Sequence, residues 1–432
     1  MKVRPHFGMH PIRPISGAQL AVVIAYPATV SMGVAPLYAR KPDLEMPTTS
    51  IHGTPDYAEL DALGLDPSEV IYFSSNINPY GPPASVVEAV EKEISRSFLA
   101  RYPDSRSQRL REKIGAYHGI PADAVLVGNG TADLIWLLAH AYGFQRQAAI
   151  LSPTFSEYAD GVIMAGGHPI HLPLPGWHRI RRRSYAPGGT TLAQTRQALE
   201  TSSPWLVFIC NPNNPTGEYL SPGEMRYLWE GAPNALWVID EAYAEFTEDP
   251  WSAAQWVMAG RNGNSGRARG PGCVVLRSMT KDFALGGLRL GYLLAAPPIV
   301  ERLQEMQPPW SVNGVAQLAG LVALDEMDWR EETTTRLRKD LRDLQDGLRA
   351  CGFAPLPTTV SYFLLPVGDA KSMRERLVAE RLFVRDCTSF GLPEHIRIAA
   401  RPPDENARLI EAMAQIDHLP SRTVDSPVAR NR

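Results

Sequence analysis

The chain of 432 residues is predicted to be an α/β protein: a large, mostly parallel sheet covered by helices, then a small α+β unit. Two observations carry that expectation. Through the middle of the sequence, short apolar runs alternate with helical patterns, the order expected of parallel strands joined by covering helices. From Trp310 onward the pattern turns helical and then closes on short strands and two helices. A chain of this length can bury a sizeable core and divide into two domains. Hydrophobic residues make up 44% and charged residues 21%, an ordinary globular balance, and a net charge of -3 gives no bulk attraction to nucleic acid or an anionic membrane.

Residues 1–50 are expected to be a disordered or mis-started extension. Lys2, Arg4 and Arg13 precede a mildly apolar stretch from Ala18 to Ala35 that is broken by Pro27. It weakly mimics a secretory signal ending in Gly33-Val34-Ala35, and Met46 offers a later start. No stretch is long and apolar enough to span a membrane. Cys210, Cys273, Cys351 and Cys387 lie far apart without a C-x-x-C pair, so neither a zinc site nor a disulfide framework is indicated. A reducing cytoplasm fits that pattern.

Residues 51–100 are expected to serve both the small domain and the site, 101–310 to form the large domain, 311–418 the small one, and 419–432 a disordered tail. Expected strands of the large sheet are Ala148–Leu151, Pro169–Leu172, Trp205–Cys210, Ala235–Asp240, Val274–Arg277 and Leu290–Ala295, each short, apolar and followed by turn or polar residues. A helix is expected over Leu134–Tyr142. The last unit should run strand Tyr362–Pro366, helix Ser372–Arg381, strand Phe383–Asp386, strand Ile396–Ala399 and helix Glu405–Ile416. Gly260 to Gly272 and the basic run Arg179, Arg181, Arg182, Arg183 read as surface loops.

The residues that carry chemistry fall beyond the carboxyl ends of these strands, where ligands collect in open parallel sheets. Lys281 lies in Ser278-Met279-Thr280-Lys281, eight residues before Arg289 in Gly287-Leu288-Arg289-Leu290-Gly291-Tyr292. That spacing suits a covalently held aldehyde cofactor bearing a phosphate. Lysine condenses with a carbonyl, while serine and arginine hold a phosphate dianion. A lone lysine is more often a solvated surface charge, so the weight rests on the other segments.

Asn211-Pro212-Asn213-Asn214-Pro215-Thr216-Gly217 is a tight turn in any case, and it can also aim Asn214 at a ligand oxygen. Asp240 ends the run Leu236-Trp237-Val238-Ile239 and precedes Glu241-Ala242-Tyr243. It either caps a helix or pairs with a protonated ring nitrogen through a charge-assisted hydrogen bond worth roughly 1.5–3 kcal/mol. Such a pair keeps a ring cationic so that it can absorb electrons. Tyr243 could then reach a phenolic oxygen of that ring beside Asn214. Gly128-Asn129-Gly130-Thr131-Ala132-Asp133 joins an apolar run, Val125-Leu126-Val127, to a helix whose first N–H groups offer a second phosphate handle. Phe155, in Ser152-Pro153-Thr154-Phe155, is either core or a stacking surface for a flat ring.

In order and spacing these segments, over about residues 51–417, resemble the fold-type-I pyridoxal-phosphate enzymes of the aspartate-aminotransferase superfamily. The resemblance implies pyridoxal 5'-phosphate as cofactor and Lys281 as the Schiff-base lysine, with Asp240, Tyr243 and Phe155 completing the catalytic set. It implies Ser278, Arg289, Gly130, Thr131 and Ala132 on the cofactor phosphate. Tyr102, in Arg101-Tyr102-Pro103-Asp104, would reach the phosphate of a neighbouring subunit, hence a homodimer with shared sites. Arg397, in His395-Ile396-Arg397-Ile398, matches the arginine that holds the substrate carboxylate.

Within the superfamily the chain is similar to histidinol-phosphate aminotransferase and to the threonine-phosphate decarboxylase of cobalamin biosynthesis. Ile51-His52-Gly53, Phe73-Ser74-Ser75-Asn76-Ile77-Asn78-Pro79, Pro153-Thr154-Phe155-Ser156-Glu157-Tyr158, Pro309-Trp310-Ser311-Val312-Asn313 and Arg385-Asp386-Cys387 resemble the decarboxylase. Tyr80 is typical of the aminotransferase, and Thr54-Pro55 and Asp282-Phe283-Ala284-Leu285-Gly286 depart from the decarboxylase pattern. The implied leading activity is decarboxylation of L-threonine O-3-phosphate to (R)-1-amino-2-propanol O-2-phosphate. The alternative is transamination with 2-oxoglutarate. His52, Asn78 and Arg385 are candidates for the substrate phosphate, with Tyr80 in the alternative. Whichever Cα bond stands perpendicular to the ring breaks, because only then can its electrons delocalise.

Overall fold

The computed structural model describes residues 57–176, 191–257 and 272–416. His52, the extension over 1–50, the Arg179 to Arg183 run, the Gly-rich loop up to residue 271 and the tail from 419 lie outside the described residues. The strands, in chain order, are β1 (Ile71–Tyr72), β2 (Val125–Gly128), β3 (Gln147–Ser152), β4 (His168–Pro173), β5 (Leu206–Cys210) and β6 (Leu236–Asp240). They continue with β7 (Cys273–Ser278), β8 (Gly291–Ala295), β9 (Tyr362–Pro366), β10 (Leu382–Phe383), β11 (Arg385–Asp386) and β12 (His395–Ala399).

Seven strands form one sheet in the order β2-β8-β7-β6-β5-β3-β4. The pairs β3–β4, β3–β5, β5–β6 and β6–β7 are parallel, while β8 runs antiparallel to both β7 and β2. The fold is therefore α/β with a mostly parallel sheet, as expected. Its centre follows from composition. β5 reads Leu-Val-Phe-Ile-Cys and β6 Leu-Trp-Val-Ile-Asp, and every residue of both is buried because helices cover both faces. Alternate side chains enter different cores: Leu206, Phe208, Leu236 and Val238 join one, Val207, Ile209, Trp237 and Ile239 the other. Burying each such side chain contributes about 1.5–3 kcal/mol, so a charge introduced at Val238 would break the middle of the sheet.

Several boundaries differ from expectation, each for a local reason. β2 is absent from the expected set because its apolar run is too short for periodicity to separate strand from helix. The helix expected from Leu134 begins at Gly130. β8 starts at Gly291 and excludes Leu290, because Arg289 just before it takes a left-handed φ of 58°. The single strand expected over Phe383–Asp386 is two. β10 pairs in parallel with β1, β11 pairs antiparallel with β12, and buried Val384 is where the chain changes partner. An extended run keeps its alternation whichever neighbour it has, so the switch leaves no mark in sequence. The helix expected at Ser372–Arg381 runs Ala370–Ala379, started by Asp369, whose carboxylate accepts from Ser372 N at 3.1 Å. The helix expected at Glu405–Ile416 runs Pro403–Ala414, with proline in its first turn.

Register places the site. Cys210 faces Asp240, and Asp240 faces Leu276, so β5 and β6 end level and β7 runs two residues further, to Ser278. The turn after β5, Asp240 itself and the Ser278–Lys281 segment therefore share one edge. A second, antiparallel sheet has the order β11-β12-β9 and sets Arg385 directly opposite Arg397. Among the described residues no helix is long and apolar enough to cross a membrane.

Candidate active site

At that edge lies a cavity of about 660 Å³. Lys281, Asp240, Tyr243, Asn214 and Phe155 line it, together with Thr131, Ala132, Arg289, Arg385 and Arg397. Ten of the expected residues are thus brought together from eight segments of chain.

Asp240 is buried and accepts hydrogen bonds from the Tyr158 hydroxyl at 2.8 Å and from Ala242 N at 3.0 Å. Burial pushes its carboxyl up to about 6, while the Tyr158 bond, the Ala242 N–H and the Lys281 charge hold it from rising further. Lys281 is partly buried, and desolvation, with the Arg397 and Arg289 charges, brings its amine down to about 8 against the pull of Asp240. A nucleophilic amine close to neutrality thus sits within the field of a buried carboxylate. The Tyr243 hydroxyl, pushed up to about 12 chiefly by burial, accepts from Asn76 Nδ2 at 3.4 Å.

Part of the cavity's lining could hold an anion. Gly130 has φ +82°, and a Cβ there would lie 2.6 Å from Arg289 Nη2, so only glycine allows the guanidinium this close to the helix Gly130–Tyr142. Thr131 and Ala132 follow in the first turn of that helix, whose N–H groups have no partner within the helix. The Ser278 hydroxyl does not line the cavity. It pairs at 2.6 Å with Thr280 Oγ1, and Thr280 does line it.

The same lining carries two more cations. The Arg397 guanidinium donates to Asn214 Oδ1 and, at 2.7 Å, to Ser74 O, while its buried Nε has no protein partner. Arg385 is buried, and desolvation followed by the Arg397 charge brings it down to about 10. It donates at 2.8 Å to Ser389 Oγ and lies over the Phe390 ring, 5.2 Å from its centre.

Asn78, Tyr80 and Tyr102 lie elsewhere. Asn78 is buried, its amide donating to Asp282 O at 3.1 Å and Thr333 Oγ1 at 2.9 Å, so it ties its segment to the helix Met327–Ala350 rather than facing the cavity. The Tyr80 hydroxyl donates to Asp340, with Arg336 stacked on its ring at 4.2 Å. Tyr102 is 80% exposed and stacks on Trp310 at 4.7 Å beside a separate cavity. His52 lies outside the described residues.

Ser74, Asn76 and Tyr158 line the cavity and were not among the sequence candidates. Asn76 and Asn78 stand two apart in one extended segment, so alternation cannot choose between them. The structure leaves Asn76 Oδ1 and Ser74 Oγ buried without a partner at the cavity. Tyr158 stands three residues after Phe155 and meets Asp240 only through the sheet register.

The chain is similar to known proteins over most of its length. It is 30% identical over 354 residues to a histidinol-phosphate aminotransferase of Symbiobacterium thermophilum, covering 81% of this chain and 91% of that protein. It is 31% identical over 346 residues to a protein of Caldanaerobacter subterraneus subsp. tengcongensis provisionally named threonine-phosphate decarboxylase, covering 78% and 88%. The crystal structure of histidinol-phosphate aminotransferase from Sinorhizobium meliloti in complex with pyridoxal-5'-phosphate superposes with a TM-score of 0.71 at 20% identity, over 84% of this chain and 94% of that one. At that identity the likeness is one of fold. Residues 68–413 match the family described as aminotransferase class I and II, and the chain belongs to that family.

Proposed function

We propose that this chain is a pyridoxal-phosphate-dependent decarboxylase of L-threonine O-3-phosphate, releasing carbon dioxide and (R)-1-amino-2-propanol O-2-phosphate. The carrying observation is the pair Arg385 and Arg397, two guanidiniums facing each other across antiparallel strands and lining one cavity with Lys281. Like charges directly opposite one another are destabilising. A phosphate dianion relieves both at once, which supports a phosphorylated substrate. With both arginines on the phosphate, neither holds the carboxylate in the plane of the ring, and that group is free to stand upright and leave.

The residues fit the cofactor. Lys281 would hold it covalently, and Asp240, ionised above about pH 6, would keep the proton on the ring nitrogen. Arg289, Thr131, Ala132 and the Ser278–Thr280 hydroxyl pair would hold its phosphate under the room left by Gly130. Asn214 and Tyr243 would hold its phenolic oxygen, and Phe155 would cover one face. When bound, pyridoxal phosphate supplies a cationic ring into which electrons from Cα delocalise. Tyr102, exposed at the chain surface beside Trp310, supports a homodimer in which it reaches the neighbour's cofactor phosphate.

A second reading, transamination of the histidinol-phosphate type, is favoured by one contact. Arg397 is hydrogen-bonded to Asn214, the residue expected at the ring oxygen, so its guanidinium is poised to hold a carboxylate in the ring plane. That geometry would expose Cα–H instead. Tyr80 argues the other way, because the tyrosine typical of the aminotransferase is engaged with Asp340. Single-turnover assays separate the two. Carbon dioxide released with the cofactor still as the aldehyde supports the decarboxylase. Keto-acid-dependent amino transfer with conversion to the pyridoxamine form rejects it.

A further inference from the structure

We infer that Ser389 and Phe390 form a clamp that fixes the Arg385 guanidinium toward the cavity, making Phe390 a positioning residue for recognition of the substrate's phosphate. The inference rests on the assignment of that phosphate to Arg385.

The buried arginines of this protein are not alike. Arg277 is paired with Glu241 at 3.0 Å and Glu245 at 2.5 Å, and Arg330 with Glu245 at 3.1 Å and Asp282 at 3.6 Å. Among the described residues no carboxylate comes within ion-pair reach of Arg385. It is nonetheless more than nine-tenths buried. What holds it is neutral: the Ser389 hydroxyl on Nη2 and the Phe390 ring beneath the guanidinium plane. A guanidinium carries five N–H donors, so the clamp takes one and a ring face and leaves the rest for an anion.

The clamp itself is built rigidly. Asp386 Oδ1 accepts from Thr388 N at 2.8 Å and from Thr388 Oγ1 at 2.6 Å, opening a short 3-10 turn over Thr388–Phe390. Phe390 N donates to Cys387 O at 2.9 Å, and Gly391, at φ +75°, ends the turn. The turn is therefore closed at both ends, and Phe390 is presented to the cavity that Arg385 lines. A long side chain without an ion pair would otherwise lose its alignment among rotamers. A carboxylate in place of the ring would align it equally well but would compete with the substrate's phosphate.

The test uses the holoenzyme and stopped-flow absorbance of its cofactor. Affinity is measured for L-threonine O-3-phosphate against L-threonine, and for L-histidinol phosphate against L-histidinol. Phe390→Leu keeps the bulk and removes the ring face. It should lower the preference for the phosphorylated member of the bound pair about tenfold, the span expected of a desolvated cation–π contact, with affinity for the unphosphorylated member within about twofold. Phe390→Tyr should retain the preference, and Ser389→Ala should weaken it several-fold. An unchanged preference in Phe390→Leu overturns the clamp, and so does a wild-type protein that shows no preference in either pair. Failure of the decarboxylase assignment reads out separately: no carbon dioxide from L-threonine O-3-phosphate, with the Phe390→Leu shift still present in the histidinol pair.

Discussion

Gly130 and Arg289 are in contact through an absence: the guanidinium occupies the space where any other residue at 130 would carry its Cβ. Alanine at 130 would place that atom 2.6 Å from Nη2 and would also have to adopt φ +82°. The left-handed backbone alone costs about 1–2 kcal/mol. Gly130→Ala is therefore expected to weaken cofactor binding at least tenfold while the sheet stays folded. Absorbance titration of the apoprotein with pyridoxal phosphate checks this, and an unchanged affinity would remove Gly130 and Arg289 from the cofactor's phosphate.

The buried carboxyl of Asp240 carries a stability cost. Its carboxyl titrates near 6 in the fold against an ordinary 3.8, so the folded protein binds the proton more tightly than the unfolded chain. Stability from this group is greatest below pH 4, falls as the pH rises to about 6, and stays reduced above that. Asp240→Asn should therefore raise the melting temperature of the apoprotein at pH 7.5, by up to about 3 kcal/mol in free energy, and abolish turnover. Thermal melts at pH 4.5 and 7.5 should show a clearly larger gain at the higher pH.

Asn78 and Asn76, two residues apart, should separate by phenotype. Asn78→Ala removes two buried hydrogen bonds, taking the amide donor from the Asp282 carbonyl and from Thr333 Oγ1, a loss of roughly 1–3 kcal/mol in stability. Asn76→Ala removes a cavity-lining amide and should change KM for the phosphorylated substrate more than stability. Urea melts beside steady-state kinetics decide it, and the reverse pattern would return Asn78 to the substrate site.

Arg330 carries a third kind of consequence. It neutralises Glu245 and Asp282 in a buried cluster behind Lys281, with Arg277 and Glu241 beside them. Arg330→Met strands carboxylates in the interior and should cost about 3–5 kcal/mol. Burial, the larger influence on Asp282, already raises its carboxyl to about 6 against the opposing pull of Arg330. Without that guanidinium Asp282 should titrate higher still. The variant's deficit relative to the parent should shrink as the pH falls from 8 to 5, because the stranded groups take up protons. A deficit independent of pH would mean that packing, not charge, is what Arg330 supplies.

Much of this protein was legible in one dimension. Runs such as Leu236 to Ile239 can be satisfied only as strands buried on both faces, and Lys281, Asp240, Asn214 and Arg289 sit next to turns that follow such runs. Local composition therefore determined six of the sheet's seven strands, β2 excepted, and the segments that could carry chemistry. What it could not determine is which side chains meet. Tyr158 reaches Asp240, and Arg397 reaches Asn214, only because the parallel register and the second sheet bring distant segments level. Asn76 and Asn78 have the same surroundings in sequence and opposite ones in space, since a buried amide takes whatever partners the packed helix Met327–Ala350 provides. Identity and spacing fix what a residue can do; hydrogen-bond partners and burial, which exist only after packing, decide what it does.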